Sequence, residues 1–227
     1  MTPTAKIWRV HAVLNEFYAP VTLGTPRREN LRELISTLLS HRTTHQDEET
    51  AYRRMFAEFG DWDGLLAAPV GALAHAIRTT RWPDVQAPRI QQILRRVKEE
   101  QGRFSIDFLA DLPTDTAMAW LLDLPGVGLK TASLVLLFNF RKPVLPVDTH
   151  VHRVAQRVGI IGPEITPDKA HPLLLAMLGP DPETLFNYHV HNLWHGQRIC
   201  FFTAPNCPAC PLNSFCDYGQ RRLGARA

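Results

Sequence analysis

The chain has 227 residues, enough for one large or two small domains. Hydrophobic residues make up 45% and charged residues 21%, a balance that excludes a disordered chain, and no apolar run is long enough to span a membrane. A net charge of +3 permits a polyanionic partner without requiring one.

Helical periodicity runs throughout and no stretch alternates convincingly with period two, so the expected fold class is all-α. Lys6 and Arg9 stand in a beginning with no apolar stretch of signal-peptide length, which sets the expectation of a cytosolic or nucleoid-associated protein. A first helix is expected over 6–18. Thr25-Pro26 offers proline at a first helical position, and the helix that follows to Ser40 shows the core face Leu31, Leu34, Ile35, Leu38 and Leu39. After the polar loop Ser40-His41-Arg42-Thr43-Thr44 comes a helix from His45 to Phe59 stopped by Gly60, then short helices over 61–68 and 69–79. Arg81-Trp82-Pro83 interrupts the pattern. Taken alone, Trp82 reads as a packing plug, since indoles are mostly buried. Pro88 to Gln101 reads as a basic amphipathic helix, with Ile90, Ile93, Leu94 and Val97 on one face and Arg89, Arg95, Arg96 and Lys98 around the other.

Leu124-Pro125-Gly126-Val127-Gly128-Leu129-Lys130-Thr131 is the stretch that organises the rest, a glycine-punctuated bend between two helices. The first, Thr114 to Leu122, opens with a threonine able to cap it and carries Met118, Leu121 and Leu122 on one side. The second, Leu129 to Phe140, is apolar nearly all round and therefore buried. Gly126 and Gly128 tolerate φ > 0 and let a partner approach the main chain closely. The unpaired N–H groups and dipole at the start of the second helix favour an anion such as a backbone phosphate. A plain tight connection between packed helices is the alternative. Lys130 weighs against it, because a lysine there opposes the helix dipole and fold stability gives no reason for it.

Prolines in Lys142-Pro143-Val144-Leu145-Pro146-Val147 fix an extended connector that reads as a domain crossover. Asp148 then caps a helix over 149–158 with Val151, Val154 and Val158 on its face. Thr166-Pro167 starts another helix closed by Gly179, and Pro182 to Cys200 forms a long final one. His189, His191 and His195 lie on it without the acidic residue of an H-E-x-x-H motif, and read as structural histidines. Cys200, Cys207, Cys210 and Cys216 fall within seventeen residues, which in a reducing compartment points to a metal site. Four cysteines serve both zinc and iron–sulfur clusters, although a zinc ribbon normally shows two C-x-x-C knuckles and this loop has one. A redox C-x-x-C with two bystanders is the lesser alternative. Arg198, Arg221 and Arg222 flank the loop and would offer basic groups to a nucleic-acid backbone.

With these motifs in order, the hairpin through Ala132, then Val147-Asp148-Thr149-His150, then C-x6-C-x2-C-x5-C, the chain resembles the endonuclease III family of helix-hairpin-helix DNA glycosylases over most of its length. The resemblance implies a [4Fe–4S] cluster on Cys200, Cys207, Cys210 and Cys216, Lys130 as nucleophile and Asp148 as the essential carboxylate. It implies that Gly126, Val127 and Gly128 grip the DNA backbone. It also implies two helical domains, a six-helix domain over 30–142 carrying the hairpin and a cluster domain of 1–29 with 143–227, with double-stranded DNA lying in the cleft between them. The expected activity is that of a bifunctional glycosylase and AP lyase, a monomer acting on oxidised pyrimidines and abasic sites, away from membranes. The probing loops depart from the family. Arg42, flanked by His41, stands where a glutamine usually fills the gap left by the extruded base; His45 replaces a usual acidic residue; Trp82 corresponds to a second inserted side chain, typically leucine. These departures keep open a glycosylase for mismatched thymine or uracil. A non-catalytic DNA-binding protein is opposed by Lys130, and an adenine glycosylase is disfavoured because that branch usually lacks the lysine.

Overall fold

The computed structural model describes residues 1–24 and 28–224. Among them the regular elements are twelve α-helices: α1 (Pro3–Tyr18), α2 (Asn30–Leu39), α3 (His45–Phe59), α4 (Trp62–Ala67), α5 (Val70–Ala76), α6 (Pro83–Gln101), α7 (Thr114–Leu122), α8 (Leu129–Phe140), α9 (Thr149–Val158), α10 (Pro167–Leu178), α11 (Pro182–Arg198) and α12 (Asp217–Gly224). Short 3-10 turns occupy Asp107–Ala110 and Cys207–Ala209. None of the described helices is long and apolar enough to cross a membrane. The contacts separate a hairpin unit, 28–135, from a cysteine unit, 1–24 with 136–224. The division falls inside α8, ahead of the prolines that mark position 142 in the sequence. In the cysteine unit Leu136 and Leu137 are fully buried, and the Phe138 ring sits 4.8 Å from Phe186 of α11.

In the hairpin unit α2 is capped by Glu29, whose carboxylate accepts from the N–H groups of Leu31 and Arg32 at 3.1 and 3.0 Å. The Thr25-Pro26 start lies outside the described residues. All five expected core residues of α2 are buried, each worth about 1.5–3 kcal/mol relative to an exposed side chain. Thr44 caps α3 and Asp61 caps α4 through their side chains. α6 starts five residues earlier than the sequence suggests. Pro83 sits in its first turn, where a missing N–H costs nothing, and Pro88 is accommodated inside the helix. Its apolar face, Ile90, Ile93, Leu94 and Val97, is fully buried. Two buried glutamines tie it to its neighbours. Gln86 donates to the Leu38 carbonyl at 3.1 Å, and Gln91 donates to the carbonyls of Leu65 and Ala68 at 3.0 and 2.7 Å, satisfying groups that helix ends leave unpaired. α7 begins at Thr114 itself with Pro113 as cap and no side-chain cap bond, and Ala117 and Leu121 are its buried residues while Leu122 is exposed. The helical period explains this: Ala117 and Leu121 are four apart, and the neighbouring Leu122 turns away.

α11 is the buried spine of the cysteine unit, with Leu185, Tyr188, His189, His191, Asn192 and His195 out of solvent. α1, α9 and α10 pack on it. The Lys6 ammonium of α1 donates to the Val158 carbonyl at 2.9 Å and to Asp217 Oδ1 at 2.5 Å, binding the first helix to the ends of α9 and α12. α12 has no counterpart in the sequence expectations, which end the helices at 200.

Candidate nucleic-acid interface and cysteine cavity

The bend of the hairpin is held from below by Leu124 and Val127, both buried, and closed by a Val127 N–H bond to the Leu124 carbonyl at 3.2 Å. Gly126 has φ +81°. Gly128 does not share that conformation, so the expectation holds for one glycine of the two. A Cβ on Gly126 would meet Arg89 Cδ at 2.9 Å, whereas one on Gly128 would meet nothing within 4 Å. The main chain at Gly128 is thus open to a close partner, and Arg89, one of the residues assigned to the solvent face of α6, brings its side chain against the bend. Lys130 follows in the first turn of α8, half-buried. Thr131 and Ser133 beside it are 1% and 2% exposed.

His41 is half-buried, and its Nε2 shares a 3.3 Å hydrogen bond with Thr131 Oγ1. Burial, reinforced by the charges of Lys130 and Arg89, lowers its pKa and keeps the imidazole neutral. Arg42 next to it is exposed, with φ +52°. Its guanidinium carbon lies 6.0 Å from the Trp82 ring centroid, and that of Arg81 lies 5.7 Å away. Trp82 is 46% exposed with φ +57°, so it is no plug. It stands at the N-cap of α6, immediately before Pro83. Thr43 joins the two loops, its Oγ1 accepting from the Arg81 N–H at 3.0 Å and donating to the His41 carbonyl at 3.2 Å. His45 projects into solvent with Nδ1 3.3 Å from Glu48, a buried carboxylate held at 3.2 Å by both Nη atoms of Arg28.

In the cysteine unit Asp148 is the N-cap of α9, as its spacing predicts, with Oδ1 accepting from the N–H groups of His150 and Val151 at 2.9 and 2.7 Å. Further along α9, Arg153 Nε donates to the Cys200 carbonyl at 3.0 Å. Arg157 Nη1 lies 3.2 Å from Cys200 Sγ while the same guanidinium holds the carbonyls of Phe201 and Phe202 at 2.7 Å. All four cysteines line one cavity with Arg157, His195, Leu212 and Gly219 among its walls. The Gly219 N–H points at Cys216 Sγ at 3.4 Å, and His195 Nε2 is 3.4 Å from Cys210 Sγ. Burial first, and then the neighbouring thiols, push Cys210 up to about 12 and raise Cys216 as well. Such a set cannot ionise together without a cation among them. Among the described residues no three His, Cys, Asp or Glu side chains are gathered to hold a single metal ion. His189 and His191 match the structural reading, with bonds to the carbonyls of Pro146 and Ala19 at 2.9 and 3.0 Å. His195 does more than fill space, since it faces the cavity, and burial with Arg153 nearby takes it down to about 4. Arg222 donates to Tyr218 Oη at 3.1 Å and Arg198 lies 5.0 Å from the Trp194 ring, while the guanidiniums that bond the cysteine loop itself, Arg153 and Arg157, come from α9, which spacing did not reveal.

Residues 35–180 match the family model described as HhH-GPD superfamily base excision DNA repair protein. Endonuclease III of Thermotoga maritima is 35% identical over 192 residues, covering 84% of each chain. DEMETER-like protein 2 of Arabidopsis thaliana is 32% identical over 182 residues, which are 73% of this chain and 14% of that one, so this chain spans a small part of that relative. Among solved structures, a trapped endonuclease III–DNA covalent intermediate matches with a TM-score of 0.82 and 25% identity over 98% of this chain and 100% of that one. A thermostable thymine-DNA glycosylase shares the fold at a TM-score of 0.75 and 21% identity, over 96% and 98% of the two chains. A glycine hairpin followed by a half-buried lysine, a helix-capping carboxylate and a four-cysteine cavity are joined by sequence kinship over most of the chain, which therefore belongs to the endonuclease III family of HhH-GPD base excision DNA repair proteins.

Proposed function

We propose that the chain is a DNA glycosylase and AP lyase that removes oxidised pyrimidines from duplex DNA, working as a monomer. The observation that carries this is Lys130 in the first turn of α8, half-buried and two residues after Gly128, where the main chain is open to a close partner. A structurally similar endonuclease III has been captured as a covalent intermediate with DNA, which supports a covalent mechanism here.

The damaged nucleotide leaves the stack before its glycosidic bond is reached. Arg42 and Trp82 occupy the gap, the guanidinium bonding the orphaned base and the indole stacking for about 1–3 kcal/mol. The uncharged Lys130 amine attacks C1′; the C1′–N bond breaks and the base departs with that electron pair and takes a proton. The lysine nitrogen then expels O4′, which takes a proton as the sugar ring opens and leaves the Schiff base at C1′, and removal of a C2′ proton expels the 3′-phosphate by β-elimination. Asp148 stabilises the positive charge that grows on the sugar and accepts a proton. The partition into a six-helix domain over 30–142 and a cluster domain of 1–29 with 143–227 belongs to the same reading.

Cys200, Cys207, Cys210 and Cys216 fit a [4Fe–4S] cluster: all four line one cavity, and N–H donors from Arg157 and Gly219 are aimed at two of the sulfurs. When bound, the cluster supplies cross-linking of the 200–216 loop. Thymine or uracil opposite guanine is the second reading, favoured by exposed Arg42, whose donor fork suits guanine O6 and N7. Duplexes with single thymine glycol, dihydrouracil, uracil and abasic sites separate the two. Lys130→Ala abolishes borohydride trapping on abasic DNA while binding stays measurable; persistent trapping would remove Lys130 from the role.

A further inference from the structure

We propose that His41 is a positioning residue for the lysine chemistry, a strut that fixes the first turn of α8 to the loop bearing Arg42; the proposal rests on the reading of Lys130 as nucleophile. The strut has two ends. At one, His41 Nε2 and Thr131 Oγ1 share the 3.3 Å bond, and Thr131 is the residue after Lys130, 1% exposed. At the other, the loop is fastened by the Thr43 hydroxyl, which spans the His41 carbonyl and the Arg81 N–H. Between these ends only Arg42 turns outward, through a left-handed backbone. The imidazole therefore sets the distance between the side chain that probes the duplex and the amine that reacts.

Its chemistry suits that task. A hydrogen-bonded ring that stays neutral beside Lys130 and Arg89 adds no third cation to the site, and it has few rotamers to sample, so the first turn of α8 is held without a charge being buried. Tight DNA binding needs only the hairpin and the exposed groups; reaction needs the amine held at its attack position, about 3–3.5 Å from C1′, where a shift of about 1 Å is costly. Loss of the strut is therefore felt in the reaction rate more than in binding.

The test uses the full-length, iron-loaded protein with a duplex carrying one abasic site. Single-turnover borohydride trapping is measured at saturating enzyme, and the Kd for a tetrahydrofuran abasic analogue is measured in parallel. His41→Ala and Thr131→Val each slow trapping about tenfold, equivalent to about 1.4 kcal/mol, with Kd changed less than about twofold. The double variant is no slower than either single one, the signature of two residues acting through one bond. His41→Gln, which returns a polar nitrogen near the Nε2 position, recovers most of the rate. Thermal melting confirms folding, and Thr131→Val, a shape-conserving change, serves if His41→Ala does not fold. Trapping at the wild-type rate in His41→Ala, or additive losses in the double variant, would overturn the strut while leaving Lys130 in place. Wild-type protein that never traps would overturn the nucleophile reading, and the strut with it.

Discussion

Asp148 is a helix cap in the structure and the sugar-stabilising carboxylate of the proposed mechanism, and substitution can pull the two apart. Its Oδ1 takes two backbone N–H bonds at the start of α9, so it is a helix cap whatever else it does. Removing a cap typically costs about 1 kcal/mol and at most about 2, and the carboxylate's charge at the helix N-terminus adds about 0.3–1 kcal/mol. Asp148→Ala forfeits both contributions, about 1–2 kcal/mol in sum, whereas Asp148→Asn keeps an oxygen acceptor and forfeits only the charge, below about 1 kcal/mol. In a chain of this size each kcal/mol moves Tm by about 2–4 °C. Base release should behave differently, falling by about 10²–10⁴ in both variants because neither has a charge to oppose the developing cation or a base to take a proton. The assay pairs a thermal melt with single-turnover release of the damaged base. Asp148→Asn releasing the base at a near-normal rate would refute the chemical role and leave a cap alone.

Gly126 and Gly128 should part company. Gly126→Ala loses about 1–2 kcal/mol in a denaturant melt, because φ +81° is costly for alanine and Arg89 must move. Gly128→Ala, facing open space, leaves stability within about 0.5 kcal/mol but weakens binding to abasic-analogue DNA, since its methyl occupies the phosphate's approach. Cys216→Ser gives purified protein with less iron and sulfide and a lower melting temperature; full iron content would exclude that cysteine as a ligand. Acid should destabilise the fold. His171 is buried with Nδ1 2.8 Å from the Leu145 carbonyl, and burial lowers its pKa from 6.5, so the unfolded chain binds the proton more readily than the folded one. Its contribution is therefore complete above about pH 6.5 and is lost as the pH falls below it. His171→Asn should flatten the fall in urea midpoint between pH 7 and 5.

Local chemistry was legible wherever it resolves locally. The α2 core face, the Asp148 cap and the glycine stop after α3 each follow from spacings of no more than four residues between successive positions, and each stands where the pattern puts it. Partners far apart in the chain were hidden. Arg157 touches Cys200 across 43 positions, His41 reaches Thr131 across 90, and Gln91 bonds carbonyls more than twenty residues back, none of which periodicity encodes. The α6 start was misplaced because a proline early in a helix and a proline before one look alike in sequence. His195 reads as a structural histidine, and its place beside Cys210 stayed hidden because nothing in a helical pattern says which buried polar groups face sulfur.

Arg42 and Trp82 carry their side chains on backbone that ordinarily suits glycine, at a cost of about 1–3 kcal/mol apiece. Glycine at either position would relieve that cost, so a campaign selecting variants only for heat resistance would be drawn to these two sites. It would collect tougher molecules stripped of the surface arginine and indole and, with the roles proposed for those two side chains, lose the hold on an opened duplex while every melting curve improved.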